Sequence, residues 1–241
     1  LLAVILSIVM VLTMFPVKVW AAKEPEWQSS YLTEMERSIY DAIAGGVEER
    51  AVTGGSTIFT LSLSDYSFDN GGETNVENLK DSAMNYFQST VSTTKILTCL
   101  VNDYPYEMFW YDKMSIDDVM IGLDISTEGN TTFITKVSYY FPVYETYQDS
   151  SAENPQYALS ASQAQRAAEA AAYAQQIVDA NAGKTDWKKL EAYKDAICDL
   201  VSYDQETANI ISQNPNSPLY GDPFQIIYVF DQDPETNVVE E

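Results

Sequence analysis

The side chains in this chain that could do chemistry are carboxylates and two cysteines. Its 241 residues include 36 aspartates and glutamates, 13 lysines and arginines, and no histidine. Glycosidases use two carboxyl groups that face one cleft at a defined separation. Because acids are this dense, some pairs arise by chance, and spacing singles out no catalytic pair. The candidate acids are Asp103, Glu107, Asp112, Asp117, Asp118 and Asp124.

The two cysteines, Cys99 and Cys198, lie beside apolar residues at helical spacing. That pattern predicts two small buried side chains. A thiol nucleophile needs a base, and a chain without histidine lacks the usual one, so neither cysteine is predicted to be catalytic. Two cysteines do not make a disulfide framework in a chain of this size, and whether these two pair stays open.

Metal and cofactor motifs are also lacking. Asp231, Asp233 and Glu235 alternate like a fragment of a calcium loop. An EF-hand loop, however, needs a central glycine and a closing glutamate. The sequence has no glycine-rich phosphate loop, no paired-cysteine motif and no HExxH. We therefore predict no catalytic, cofactor-binding or metal-binding residue, and a net charge of −23 predicts no binding to nucleic acid.

The first 22 residues have the pattern of a secretory signal peptide. Residues 1–17 are almost wholly apolar, and Pro16, Ala21 and Ala22 precede the first charged cluster. An apolar core followed by small residues is typical of a cleavage site. The alternative is a membrane anchor, for which the run is at the short limit. We expect a secreted or cell-surface protein with no stable membrane span after cleavage.

Residues 23–147 predict an N-terminal α+β lobe of helices on a small antiparallel sheet. Thr33 and Glu36 form a capping-box pattern for a helix that Gly45-Gly46 would end. The inward residues of the next helix would include Val76, Leu79 and Phe87. The TEGN sequence at 127–130 predicts a hairpin turn. Further predicted elements are helices over about 75–89 and 93–102, and strands over 56–63, 107–111, 117–126 and 132–143.

This lobe is rich in aromatic side chains, which have two interpretations. They could form an exposed platform that stacks on sugars, or they could fill the buried face of the sheet and pair across strands. Exposed, coplanar rings on neighbouring strands would favour the platform. The residues are Tyr104, Tyr106, Phe109, Trp110, Tyr111, Tyr139, Tyr140, Phe141, Tyr144 and Tyr147.

A polar, proline-containing linker at 148–157 separates this lobe from an all-helical segment at 158–241. An alanine-rich helix is predicted from Ser160 or Ser162 to Ala182, with Ala167, Ala171 and Val178 on its packing face. A final short helix would begin at Asp222-Pro223. Between these two helices, another helix is predicted to begin at Thr185 or Asp186. Its inward-facing residues would be Leu190, Tyr193, Ile197, Leu200 and Val201.

Two stretches of the helical segment carry a resemblance, KLEAYKDAICDLVSYD at 189–204 and GDPFQIIYVFDQDPETNVV at 221–239. They resemble the N-terminal part of the transglutaminase-like, papain-like cysteine enzyme domain of secreted Firmicutes proteins. In that family the second stretch leads into a Cys-Glu-Gly-Tyr type motif whose cysteine is the nucleophile. Here Glu240 stands at that point. The resemblance implies a partial core that ends before the catalytic cysteine, histidine and aspartate, and a bacterial extracellular location.

Two functions are therefore expected from the sequence. The first is a non-catalytic N-terminal portion of a secreted transglutaminase-like protein, whose full-length form would act on amide bonds of proteins or peptidoglycan. The second is a complete extracellular binding module with an aromatic-rich sheet for glycan or protein. In both, the partner is a cell-wall or extracellular protein or peptide, and the chain as given is inactive as an enzyme.

Overall fold

The structure is a computed structural model that describes residues 31–112, 119–203, 209, 213, 226–230 and 238–239. It has the α+β architecture expected from the sequence. The helices are α1 (Glu34–Thr53), α2 (Val76–Thr90), α3 (Thr93–Asp103), α4 (Ala161–Ala180), α5 (Asp186–Leu200) and α6 (Ile226–Phe230). The strands are β1 (Gly55–Ser56), β2 (Ile58–Ser62), β3 (Ser67–Asp69), β4 (Met120–Glu128), β5 (Thr131–Tyr140), β6 (Ala158–Leu159), β7 (Ser202–Tyr203) and β8 (Val238–Val239).

Helix α1 begins at the predicted capping box but does not end at Gly45-Gly46. The Thr33 hydroxyl accepts from the Glu36 N–H at 3.2 Å, and a Glu36 oxygen accepts from the Thr33 N–H at 2.9 Å. The helix continues to Thr53 and ends at Gly54, which has a φ of 67°. The predicted end was wrong because Gly46 serves packing: a Cβ there would lie 2.4 Å from a ring carbon of Phe59.

The sheet is built around β5, which pairs with β4 along one side and with β2 and β3 along the other, all antiparallel. The predicted hairpin joins β4 to β5. Its turn places Gly129 at a φ of 58°, which glycine adopts without strain. The register shifts between Asp124 and Ile125, where the strand pair has a bulge. The prediction of these two strands is confirmed, with shifted ends.

Helices α2 and α3 are each capped at the N-terminus by a side chain. Asn75 accepts from two backbone N–H groups at the start of α2, and Ser92 accepts from the Lys95 N–H at the start of α3. Leu79 and Phe87 face the core as predicted. Val76 does not, since it is 61% exposed in the first turn.

The predicted strand at 107–111 is wrong. This segment is a run of turns in which Phe109 N–H donates to Tyr106 O and Tyr111 N–H to Met108 O, each at 3.1 Å. A half-buried strand alternates inward and outward side chains, whereas Met108, Phe109, Trp110 and Tyr111 are all fully buried in succession. The turn hydrogen bonds, rather than burial alone, exclude a pleated strand here, since a strand covered on both faces is also buried throughout.

Helix α4 packs on α1 through a stripe of buried alanines, which permits a close approach of the two helices. The prediction is confirmed for Ala167 and Ala171 but is wrong for Val178, which is exposed. The segment between the strands and α4 is tied down by backbone bonds from Val143 N–H to Gln156 O at 2.8 Å and from Ser160 N–H to Tyr147 O at 2.9 Å. The boundary at 148–157 stays a prediction.

One buried cluster includes residues from both sides of that boundary, such as Ile39, Phe141, Ala164 and Ile227. In α6, Ile227 and Val229 are buried, and β8 pairs in parallel with β7. The predicted helix start at Asp222-Pro223, the acidic turn at 231–235 and the signal peptide lie outside the described residues. Within the part of the chain that the structure describes, no helix is long and apolar enough to cross a membrane.

Candidate functional site

Two of the candidate acids, Asp103 and Asp124, pair with side chains on neighbouring elements. The Tyr40 hydroxyl donates to Asp103 at 2.7 Å, and Lys136 lies 3.6 Å from Asp124 on the neighbouring strand. Glu107 is buried. Asp117 and Asp118 lie outside the described residues. Among the described side chains, no group of three or more could hold a metal ion.

The Tyr40–Asp103 pair joins α1 to the end of α3. Burial, reinforced by the hydrogen bond to the Asp103 carboxylate, raises the pKa of the Tyr40 phenol far above its usual range. The phenol therefore stays protonated and donates to the carboxylate. This arrangement holds two helices together through a phenol that stays protonated near neutral pH.

The two cysteines differ in their environment and are not bonded to each other. Cys99 is buried as predicted, and burial, with Asp103 nearby, raises the pKa of its thiol. A raised pKa makes a thiol a poorer source of thiolate. The prediction that Cys198 is buried is wrong, because it lies exposed near the end of α5.

The aromatic side chains mostly form core. Six of the ten are buried, and their rings meet edge to face: Phe109 with Tyr147 at 5.3 Å and Tyr111 with Phe141 at 5.6 Å between centroids. Burial raises the pKa of Tyr139 to about 12. The core interpretation is confirmed for Phe109, Trp110, Tyr111, Tyr139, Phe141 and Tyr147, while Tyr104, Tyr106, Tyr140 and Tyr144 are half-buried.

The described surface does have one concentrated apolar feature, on α5. Trp187 is 76% exposed, Leu190 63% and Ile197 40%. Their spacing of three and seven residues places them along one side of the helix, which we call the α5 outer face. No residue of α5 is fully buried. The prediction that Leu190 and Ile197 point inward is therefore wrong.

A different side of α5 faces the rest of the protein. Ala192, Tyr193, Ala196 and Leu200 are half-buried, and α5 packs against α4 and α6. Small residues at 192 and 196 allow the helix to approach closely. The sequence contains a pattern that indicates this packing, because a row of alanines beside a row of large residues gives the helix two possible packing sides. At about 100° per residue, Lys194 lies between Leu190 and Trp187 around the helix, and Cys198 lies just beyond Trp187; both are exposed.

Charge is distributed unevenly at this helix. Four of the 13 basic residues of the chain lie within positions 184–194, namely Lys184, Lys188, Lys189 and Lys194. Two of them have acidic neighbours, since Lys194 lies 2.7 Å from Asp195 and Lys189 lies 3.9 Å from Asp186. These surface pairs contribute little to stability. The outer face thus combines three large apolar side chains with the exposed Lys194, and its surroundings are of mixed charge rather than uniformly acidic.

Comparison with known proteins adds no relative to this description. No family model matches the chain, and neither the curated proteins nor the solved structures include a match.

Proposed function

We propose that this chain is a non-catalytic part of a secreted transglutaminase-like protein, in which the α5 outer face packs against the remainder of the transglutaminase-like core. The observation that carries the proposal is the exposure of Trp187, Leu190 and Ile197 together on one side of a helix. The same helix spans most of the first stretch that resembles the transglutaminase-like family. In such a core Leu190 and Ile197 would be inward, so the natural occupant of the face is the remainder of that core.

The physical reason for an occupant is the cost of leaving large apolar side chains in water. Burying a side chain of this size contributes about 1.5–3 kcal/mol. Exposed apolar clusters with a polar rim are typical of interaction sites, and tryptophan is enriched among residues that dominate binding. The polar residues here include Lys194, which lies between Leu190 and Trp187 around the helix, and Glu191, which lies beyond Trp187; both are exposed.

The non-catalytic part of the proposal rests on the available groups. The chain has no histidine to serve as base for a thiol. Cys99 is buried and its thiol has a raised pKa, and Cys198 lies exposed near the C-terminal end of α5. The described candidate acids Asp103 and Asp124 hold structural contacts.

The catalytic prediction is tested with the purified chain and a glutamine-containing peptide, with and without an amine acceptor. We expect neither ammonia release nor amide exchange, in the wild type and in Cys198→Ala alike. Thiol-dependent turnover that Cys198→Ala abolishes would overturn the proposal. The gene is also read beyond codon 241: a frame that continues into a Cys-Gly-Tyr motif, then a histidine and an aspartate, supports the transglutaminase-like assignment.

The alternative is a complete extracellular module that binds a separate protein, and the same outer face favours it. The two ideas differ in where the occupant is encoded. If the downstream sequence supplies the remaining core, acrylamide quenching of Trp187 should fall in the longer protein by comparison with the present chain. If the gene stops at codon 241 and Trp187 stays accessible in the isolated protein, the binding module is supported instead.

A further inference from the structure

The turn after β3 contains the one Asn-Gly pair in the chain, Asn70-Gly71. An asparagine followed by glycine can lose its side-chain nitrogen without an enzyme, because glycine has no side chain to hinder its own backbone nitrogen. That nitrogen attacks the side-chain amide carbon of the asparagine. A carbon–nitrogen bond forms, the amide nitrogen leaves as ammonia with the proton released from the backbone, and a succinimide ring results. Water then opens the ring at either carbonyl, which gives aspartate or isoaspartate.

The local backbone fixes these residues in a tight turn. The Asn70 carbonyl accepts from the Glu73 N–H at 3.2 Å, and the two central residues, Gly71 and Gly72, have φ values of 63° and 80°. Residues with side chains rarely adopt these angles, so glycine is required at both positions. Gly71 is exposed, and Asn70 is half-buried. Water and base can therefore reach the turn.

Three hydrogen bonds hold the reacting groups in place. The Asn70 Nδ2 donates to the Thr132 hydroxyl at 3.0 Å, and its Oδ1 accepts from the Gly72 N–H at 2.9 Å. The attacking nitrogen of Gly71 instead donates to the Asp69 carboxylate at 2.9 Å. Thr132 is fully buried, so it anchors the amide to the sheet. In the folded state the amide carbon is not free to turn toward Gly71.

We propose that Asn70 is a site of spontaneous deamidation whose rate is set by local opening of its hydrogen bond to Thr132. Such openings of surface turns occur without unfolding the whole domain. The product adds a negative charge and removes the donor that Asn70 gives to Thr132. The isoaspartate form also lengthens the main chain by one carbon. That change adjoins the bond from Asn70 N–H to Asn130 O at 2.7 Å, which extends the pairing of β3 with β5.

The test is incubation of the purified chain at mildly alkaline pH, followed by proteolysis and mass spectrometry of each asparagine peptide. We expect conversion at Asn70 to exceed that at Asn130, which is exposed in the β4–β5 turn but is followed by Thr131. Loss of the anchor in Thr132→Ala should accelerate conversion about fivefold, the effect of losing one ordinary hydrogen bond. Thr132→Ser, which keeps the hydroxyl, should retain the wild-type rate. The urea-unfolded chain should convert faster than any folded form.

The matched control is Thr57→Ala. Thr57 is also fully buried, and its hydroxyl donates to Phe141 O at 2.7 Å near the opposite end of β5. Its loss weakens the fold without touching Asn70, so local opening predicts an unchanged rate there. Equal acceleration by both variants would show that global unfolding sets the rate and would overturn the proposal. So would equal rates in the folded and unfolded chains, or conversion at Asn130 as fast as at Asn70. If Thr132→Ala fails to fold, Thr132→Val replaces it.

Discussion

The carboxylate of Glu36 accepts a hydrogen bond from the backbone N–H of Ser92 at 2.9 Å, although the two residues are 56 positions apart. Its other oxygen accepts from the Thr33 N–H. Glu36 is 2% exposed, so this one side chain satisfies two backbone donors in a buried place. It fixes the start of α1 against the junction between α2 and α3.

Replacing Glu36 by glutamine should therefore destabilise the fold by about 1–3 kcal/mol, because an amide offers only one oxygen and leaves a buried N–H without an acceptor. The free energy of unfolding is measured by urea denaturation. The control is Glu34→Gln, two residues earlier on the exposed side of the first turn. A Glu36→Gln variant as stable as Glu34→Gln would contradict the role given to this carboxylate.

The same contact predicts a pH dependence. Burial by itself raises the pKa of Glu36, but the hydrogen bonds from Thr33 and Ser92 outweigh it and leave the pKa below its ordinary 4.5. A carboxyl whose pKa is lowered by folding stabilises the folded state above its unfolded pKa, and that contribution is lost as pH falls through the folded pKa. The stability difference between wild type and Glu36→Gln should thus be full at neutral pH and shrink below pH 4.5. Urea titrations across this range measure it, and a difference that stays constant into acid would refute the linkage.

Local signals predicted much of this fold. The capping box at Thr33 and the β4–β5 turn at Gly129 were predicted because they depend only on residues a few positions apart. The Glu36–Ser92 contact could not be predicted in this way. The capping box accounts for one oxygen of Glu36, and the partner of the other is set by tertiary packing.

The wrong predictions share a physical origin. The apolar run at 107–111 is compatible with a buried strand or a buried coil, and only its backbone hydrogen bonds, which depend on tertiary packing, distinguish them. For α5, periodicity shows which residues share a side but not what covers that side. The side of α5 that carries Ala192 and Ala196 packs against the rest of the protein, and the side that carries Leu190 faces outward.

Gly45 and Gly46 offer a matched pair of substitutions within α1. A Cβ on Gly46 would lie 2.4 Å from the Phe59 ring, whereas one on Gly45 would meet nothing within 4 Å. We expect Gly46→Ala to cost about 1–3 kcal/mol through overpacking. Gly45→Ala should instead stabilise the helix by about 0.5–1 kcal/mol, because alanine loses less backbone entropy. Thermal and urea unfolding measure the change in unfolding free energy for each variant. If both variants were stabilised, or both destabilised, the result would be inconsistent with a close α1–β2 contact.

The α5 outer face gives the last prediction, which separates a surface built for an occupant from one that supports this chain's own fold. Leu190→Ser should change the free energy of unfolding by less than about 0.5 kcal/mol, because Leu190 is already exposed. Ile227→Ala should cost about 2–5 kcal/mol, because Ile227 is 2% exposed within the shared core. Urea denaturation measures both. In a protein in which the face is occupied, Leu190→Ser should lose the bound state and restore acrylamide quenching of Trp187. A large loss of stability from Leu190→Ser in the chain alone would mean that the face is already buried by the chain itself, and the docking proposal would then fail.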